Sequence, residues 1–484
     1  MNPALREQLR RAQTHLERCN RGENIQLHSN SVHGMDGIET FNRTESSIIV
    51  PVPEGLEYFP FQRAGIEFLA SGQSALLADD MGLGKTVQCA GLLNYLPEII
   101  SCLIVCPASL KGTWHHEFNR WLCPPMRSIL VCDGDTTELG NADIIIINYD
   151  MLGRFYSLLS KRVWDLIVLD EGHYLKNREA ARTRHARELA RHAKRRVILT
   201  GTPVLNRPSE LWSLLNILAP SQWPNFYRFA HRYCAPVRTS WGWDFRGSSN
   251  REELALELRK GLMLRRRKKH VLAQLPPIVR QIVPLAVDPS ILLKHLTQRV
   301  AELYGFDPAH PPFEIDPEKI PFELISEIRR ETGALKVEAA VEFLLEQTAD
   351  YSQKVLIFAH HLDVLEALHS NFANKSVLVT GQTPLRARQK ALDAFQTEGG
   401  DIKYFIASTR AFGLGVTLTA ASHVVFVEPD WTPALLDQAE ARAHRIGQDS
   451  RVLVQYLVLE NSLDEKILAA VQSKRAVINA IIER

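Results

Sequence analysis

Paired cysteines are missing from this sequence. Its seven cysteines stand at 19, 89, 102, 106, 123, 132 and 234, with no CxxC pair among them. An odd number without metal-ligand spacing excludes a disulfide scaffold and a zinc ribbon, suits a reducing compartment, and leaves Cys102 and Cys106 as core thiols. Long apolar runs are missing too. "MNPALREQLRRAQTHLERC" has no signal core, and no stretch is long enough to span a bilayer. We therefore expect an intracellular soluble protein with no membrane partner. Charge of one sign is the third absence: 57 Lys and Arg face 55 Asp and Glu, a net +2. Net charge gives no sign of a nucleic-acid partner, so any basic surface must be local. What remains is an ordinary globular composition over 484 residues, 45% hydrophobic and 23% charged. That length holds two or three domains.

Short apolar runs carry the fold. "ALLA" (75–78), "CLIVC" (102–106), "IIIIN" (144–148), "LIVL" (166–169) and "RVILT" (196–200) alternate with helical stretches. The pattern returns in "KVLIFA" (354–359), "SVLVT" (376–380), "KYFIA" (403–407), "VVFV" (424–427) and "VQYLVL" (454–459). Continuous apolar runs one strand long are parallel strands buried on both faces, and the alternation predicts α/β with doubly wound sheets. We expect two such lobes, at 51–204 and 336–460. Residues 1–50 would hold an amphipathic helix at 3–18 and a polar segment. Residues 205–335 would be helical insertions and a lobe linker, with a Pro-rich loop at 308–321, and 461–484 a closing helix.

Ligands of open α/β sheets bind beyond the carboxyl ends of the strands. After "ALLA" comes "DDMGLGKT" (79–86), where Asp79 occupies the first glycine position of a phosphate loop. Backbone N–H groups around Gly82 and Gly84 can cradle phosphates, Lys85 can reach the outer ones, and Thr86 can hold Mg²⁺. The alternative is a plain strand–turn–helix connection. After "LIVL" come Asp170 and Glu171, an acid pair suited to Mg²⁺ coordination and to activating water; a helix-capping Asp is the other reading. Gly201-Thr202-Pro203 is a small turn able to sense a γ-phosphate. "FIASTRAFGLGVTLTAAS" (405–422) carries Gly413 and Gly415. "QAEARAHRIGQ" (438–448) sets Arg442 and Arg445 three apart, on one helical face, as candidate arginine fingers or surface salt-bridge partners. Gln62, in "FPFQRAGIEFL" (59–69), has an amide able to pair with an adenine edge.

The ordered set "PFQRAGIEFL", "LADDMGLGKT", "CPASLKGTWHHEF", "DEGHYLKN", "LTGTPVLNRPSELW", "MLRRRKKHVLAQLPP", "FAHH" and "QAEARAHRIGQ" resembles the helicase motifs of superfamily two, specifically the Swi/Snf family of DNA-translocating ATPases. "RYCAPVRTSWGWDFRGSSN" and "FAHHLDVL" are similar to its annealing-helicase branch (HARP, HepA-related protein). The resemblance implies two RecA-like lobes with a C-terminal brace helix. It implies ATP at Gln62, Asp79, Gly82, Gly84, Lys85, Thr86, Gly413 and Gly415, and Mg²⁺ at Thr86 and Asp170. Catalysis would fall to Glu171, Lys85, Arg442 and Arg445, the arginines acting across a closing cleft. Asp at the first loop position is then a family mark rather than a defect. The sequence departs from the family at Asp80 (usually Glu), His270 and Phe412.

Duplex or forked DNA is the implied partner, tracked along one strand. Ser109, Lys111, Thr380, Thr383, Arg386, Ser408 and Thr409 are strand-end groups of the kind that bind phosphate without reading bases; ordinary loop polarity is the alternative. "NREAARTRHARELARHAKRR" (177–196) holds eight cations and would attract a polyanion, or is a solvated face. "RRRKK" (265–269) looks like a nuclear localisation run, but its setting favours the family's lobe-linking segment. Trp241 and Trp243 either wedge a DNA junction or pack, and we favour packing. Residues 1–50 show no match to a substrate-recognition repeat, so a targeting partner such as single-strand-binding protein is expected. We expect a monomer, cytoplasmic in a prokaryote or phage and nuclear in a eukaryote. Rival readings are displacement of bound proteins or RNA polymerase, an RNA-directed helicase, and an ATP-regulated scaffold.

Overall fold

The computed structural model describes residues 42–124, 127–203, 207–240, 242–272, 274–285, 287, 322–348, 353–409, 416–460 and 462–482. The expected helix at 3–18, the loop at 308–321, Trp241, Phe412, Gly413 and Gly415 lie outside these residues. Strands run in chain order as β1 (Ser74–Leu77), β2 (Cys102–Cys106), β3 (Ile129–Val131), β4 (Ile144–Asn148), β5 (Leu166–Asp170) and β6 (Arg195–Leu199). Then come β7 (Val237–Thr239), β8 (Gly242–Asp244), β9 (Met263–Leu264) and β10 (Ile278–Leu285). The last are β11 (Lys354–Ala359), β12 (Ser376–Val379), β13 (Tyr404–Ser408), β14 (Ala421–Phe426) and β15 (Val452–Leu459).

Two parallel sheets organise them, as the apolar runs predict. The first has the order β3-β4-β2-β5-β6-β1-β9 and the second β10-β15-β14-β11-β13-β12. β2, β4 and β5 are buried at every residue. In the second sheet, Leu356, Phe358, Phe405, Val424 and Phe426 pack on one side. Val355, Ile357, Tyr404, Ile406 and Val425 pack on the other. Alternate residues of one strand thus enter two different cores, which is why these runs read as continuously apolar.

The described residues form two compact units: one runs to Leu275 and includes residues from Lys474 on, the other spans Pro276–Ser473. The division falls inside the expected 205–335 linker, and that region is not simply helical. It supplies β9 to the first sheet, β10 to the second and the antiparallel hairpin β7–β8. The closing segment is a helix over Leu463–Ile482. Among the described residues no helix is long and apolar enough to cross a membrane, and the six described cysteines are free thiols, five of them buried.

Candidate active site

In the first unit, β1 runs into a loop that enters the helix Lys85–Tyr95. Gly82 and Gly84 have φ of 85° and 75°, a region L residues avoid. A Cβ on Gly84 would also lie 2.5 Å from Gln62 Nε2. Gly84 is the N-cap and offers no side chain, so the first N–H groups of the helix are uncapped and suited to phosphate. Gln62 donates to Leu83 O (3.3 Å) and accepts from Phe59 N (3.1 Å), fastening the preceding helix to the loop. Lys85 Nζ donates to Asp79 O (2.8 Å) and Asp80 O (3.4 Å). Its ammonium is held below its usual pKa by burial, against the opposing pull of Glu171, Asp79, Asp170 and Asp80.

Asp79 requires a correction. Its side chain is fully buried and is not offered to a nucleotide. Both oxygens are taken by Arg266, through Nε (2.9 Å) and Nη2 (2.5 Å), and Gln88 Nε2 donates to it at 3.1 Å. Arg266, only 2% exposed, also bonds Phe61 O and Gln88 Oε1. A carboxylate this deep must be paired, and the first-position Asp anchors the loop to the segment after β9. Neighbouring Asp80 meets Arg265 at 3.4 Å and Lys268 N at 3.1 Å. Burial pushes its pKa up, but Arg265, Lys268 and Arg267 outweigh that and hold it low. "RRRKK" is therefore a clamp on the phosphate loop. Reading it as a linker or an import signal missed this role; the signal was a buried acid in a glycine's place, which demands a cation.

β5 ends in Asp170 and Glu171, both buried. Asp170 accepts from Trp114 Nε1 (2.7 Å) and from Glu171 N (2.8 Å), and its carbonyl accepts from Tyr149 OH (2.6 Å). Burial, then the Glu171 charge, pushes Asp170 well above the usual carboxylate range. Glu171 itself sits at φ 49°, a left-handed conformation that costs a non-glycine residue about 1–2 kcal/mol. Its carboxylate lies 3.2 Å from His173 Nδ1. Trp114, quoted in the sequence only as part of a motif, thus holds a candidate site residue in place, a contact that pattern reading did not single out. After β6, Gly201 packs so tightly on Met81 that a Cβ would meet its Cγ at 2.5 Å, placing this turn against the phosphate loop.

These groups fit Mg²⁺. The buried acid pair concentrates hard oxygen donors beside the threonine-bearing helix start, and burial, then the Glu171 charge, raises the Asp170 pKa, a penalty on the carboxylate that a dication would offset. Among the described residues no cluster of three or more His, Cys, Asp or Glu could hold a metal by itself. The remaining ligands would come from phosphate and water.

In the second unit, the helix Pro433–Glu440 ends before Arg442, so the two arginines do not share a helical face; both lie in the turns that follow. They nevertheless converge, each guanidinium donating to Val416 O at 3.3 Å. Glu440 is fixed by Arg280 of β10 (2.6 Å) and Tyr456 OH (2.6 Å), and Gln448 bonds the carbonyls of Thr419, Ala421 and Ala443.

The expected DNA contacts divide. Thr409 is a correction: it is fully buried, and its N–H and hydroxyl both donate to Ala359 O, which seats the β13 turn on β11. Lys111 Nζ donates to Cys132 O at 2.5 Å. Thr380 and Thr383 bond each other, while Arg386 is exposed and Ser109 and Ser408 half-buried at strand ends. The basic stretch 177–196 is largely engaged internally. Arg178 stacks on Phe226 (3.8 Å), Arg187 on Trp212 (5.5 Å), and Arg182 bonds Tyr174 O. Arg191, Lys194, Arg195 and Arg196 likewise have partners. Among the described residues only Arg184 of that set is exposed without one.

A model of the SNF2-related domain matches residues 26–291, and one of the helicase conserved C-terminal domain matches 335–447. The SWI/SNF-related matrix-associated actin-dependent regulator of chromatin subfamily A-like protein 1 of Xenopus tropicalis is 35% identical over 433 residues, covering 88% of this chain and 45% of that protein. Its Caenorhabditis elegans homolog is 35% identical, covering 87% and 61%. The human DNA annealing helicase and endonuclease ZRANB3 is 34% identical, covering 87% and 40%. The chain thus spans about half the length of the curated relatives it matches. The solved SWI2/SNF2 ATPase core of Sulfolobus solfataricus in complex with dsDNA is 23% identical with a TM-score of 0.44, covering 88% of this chain and 97% of that one. With the SNF2-related model matched over more than half its length, and the helicase C-terminal model after it, this chain belongs to the SNF2-related family.

Proposed function

We propose that the chain is a DNA-dependent ATPase that translocates on double-stranded DNA and remodels or reanneals structures such as forks, in repair or replication. The observation that carries this reading is the meeting of Lys85 with the buried Asp170–Glu171 pair beside an uncapped, glycine-lined helix start. Relatives named annealing helicases support the choice of DNA structure.

The roles follow from the groups. The N–H groups at Gly82–Thr86 and the Lys85 ammonium bind the phosphates of ATP. Glu171 orients a water and takes its proton as the water oxygen attacks the γ-phosphorus and the bond to the ADP oxygen breaks. Thr86 and Asp170 would hold Mg²⁺, which supplies charge neutralisation on the phosphates when bound. Trp114 keeps one Asp170 oxygen turned toward the protein, fixing the other's direction. Arg442 and Arg445 would add cationic stabilisation to the transferring phosphoryl group, coupling hydrolysis to a closed state. Ser109, Lys111, Thr380, Arg386 and Ser408 are proposed to contact the DNA backbone.

ATPase activity with single-stranded, duplex and forked DNA and with RNA tests the reading, together with annealing of strands coated with single-strand-binding protein. Forked and duplex DNA should stimulate most. Stimulation by RNA and not by duplex DNA would replace the reading with an RNA-directed one. Arg445→Ala should keep nucleotide affinity and lose DNA-stimulated hydrolysis.

A further inference from the structure

The hairpin β7–β8 has no part in the nucleotide site, yet it is built with care. It folds onto the helix Phe226–Tyr233, where Trp243 meets the His231 ring edge-on at 4.8 Å and Phe245 at 6.4 Å. Phe245 in turn packs on Phe226 (5.6 Å) and His231 (5.5 Å). These contacts hold the Trp243 indole in place while 49% of it remains open. A solvent-facing tryptophan fixed by its neighbours loses little freedom on binding a ligand.

The register adds a second observation. Arg238 stands directly opposite Trp243 across the antiparallel pair, so the two side chains share one face of the ribbon. Arg238 is exposed and has no partner among the described residues. The stretch that leads into the hairpin lacks acids. From Leu211 to Trp243 the sequence has no acidic residue but includes Arg228, Arg232 and Arg238. Asp244, beside Trp243, is paired with Arg246 (2.6 Å), and Arg232 is taken by Glu253, which leaves Arg238 as the cation that faces the indole.

We propose that this hairpin is a stacking platform for an unpaired base of DNA, with Trp243 supplying the ring and Arg238 binding the adjoining phosphate. A flat, half-open indole beside an unpaired cation matches the two parts of a nucleotide. A duplex would not use it, because paired bases keep their faces in the stack. The platform therefore selects DNA with a single-stranded arm or gap. It rests on the motor reading above only for its biological use, since binding is measured without hydrolysis.

The test compares wild type, Trp243→Ala and Trp243→Phe in binding to labelled blunt duplex and to the same duplex with single-stranded arms. Loss of one base stack weakens binding by about 5- to 150-fold, and this loss should fall on the armed DNA alone. Trp243→Phe, which keeps an aromatic ring against His231 and Phe245, should restore most of it. Equal losses on both DNAs, or no loss on either, would overturn the platform. So would unchanged DNA preference with loss of a protein partner, which would make the face a protein-docking surface. DNA-stimulated ATPase is measured on the same proteins. Wild type that prefers armed DNA without stimulated hydrolysis would sink the motor and leave the platform standing.

Discussion

The two units treat buried charge in opposite ways. In the first, burial is the leading influence on both Asp170 and Lys85, pushing the acid up and the base down. In the second, buried ions face opposite ions at close range, Lys336 with Asp464 (2.6 Å) and Glu440 with Arg280 (2.6 Å), and Glu428 lies 2.6 Å from His361 Nδ1. Burial also pushes Glu428 up, yet its bonds from His361 and from the N–H groups of His360 and His361 hold it low. One unit keeps charge in imbalance where a polyphosphate and a dication would restore it. In the other, these buried groups already have their partners within the unit. Asp79–Arg266 shows that the first unit also balances charge where it needs only support.

The sharpest break of this contrast is in turnover. Glu171→Gln should lower kcat by about 10²–10⁴-fold, with ATP still bound in a nucleotide titration. Because the change also removes the like-charge repulsion on Asp170 and the burial cost of the Glu171 carboxylate, Tm should hold or rise; a clear fall would mean that the pair stabilises the fold. Lys85→Ala should lose turnover by about 10²–10³-fold.

Next come the balanced pairs. Arg266→Met and Lys336→Met each strand a buried carboxylate and should cost about 3–5 kcal/mol, read from denaturant melts. They should differ in consequence. Arg266→Met loosens the phosphate loop and weakens nucleotide binding, whereas Lys336→Met leaves it unchanged. Equal effects on nucleotide would erase the distinction between the units. Trp114→Phe keeps a ring in the core and removes only the bond to Asp170, so half-saturating Mg²⁺ should rise about 10- to 100-fold. Nucleotide binding without metal should stay as it was.

The smallest effect is on acid stability. A carboxylate with a depressed folded pKa stabilises above its unfolded value and loses that contribution as pH falls through the folded one. Glu428→Gln should therefore flatten the fall of Tm on the acid side, with little change in slope near neutral pH.

What was legible in the sequence follows the sheets outward. All ten apolar runs are strands, because strands covered on both faces need apolar residues at every position. The strands not foreseen include three at sheet edges: β3, β9 and β10. β3 and most of β10 are only partly buried, and β10 carries Pro284, which an edge tolerates because its missing N–H has no ladder to join. The phosphate loop and acid pair were legible because their chemistry dictates residue type at fixed spacing. Arg266 and Trp114 were not, because they reach Asp79 and Asp170 through tertiary contacts 187 and 56 residues apart in sequence.

The distance between Asp79 and Arg266 has a consequence for the birth of the protein. β9 and the arginine that pairs with the buried Asp79 lie far downstream of β1, which they join. At about 5–20 residues per second, a ribosome needs roughly 10–40 s to make the intervening chain. For that interval the nascent loop carries a carboxylate that has no counterion and no place in the interior. The buried carboxylate at the head of the loop thus gains its cation only when most of its own unit has been made.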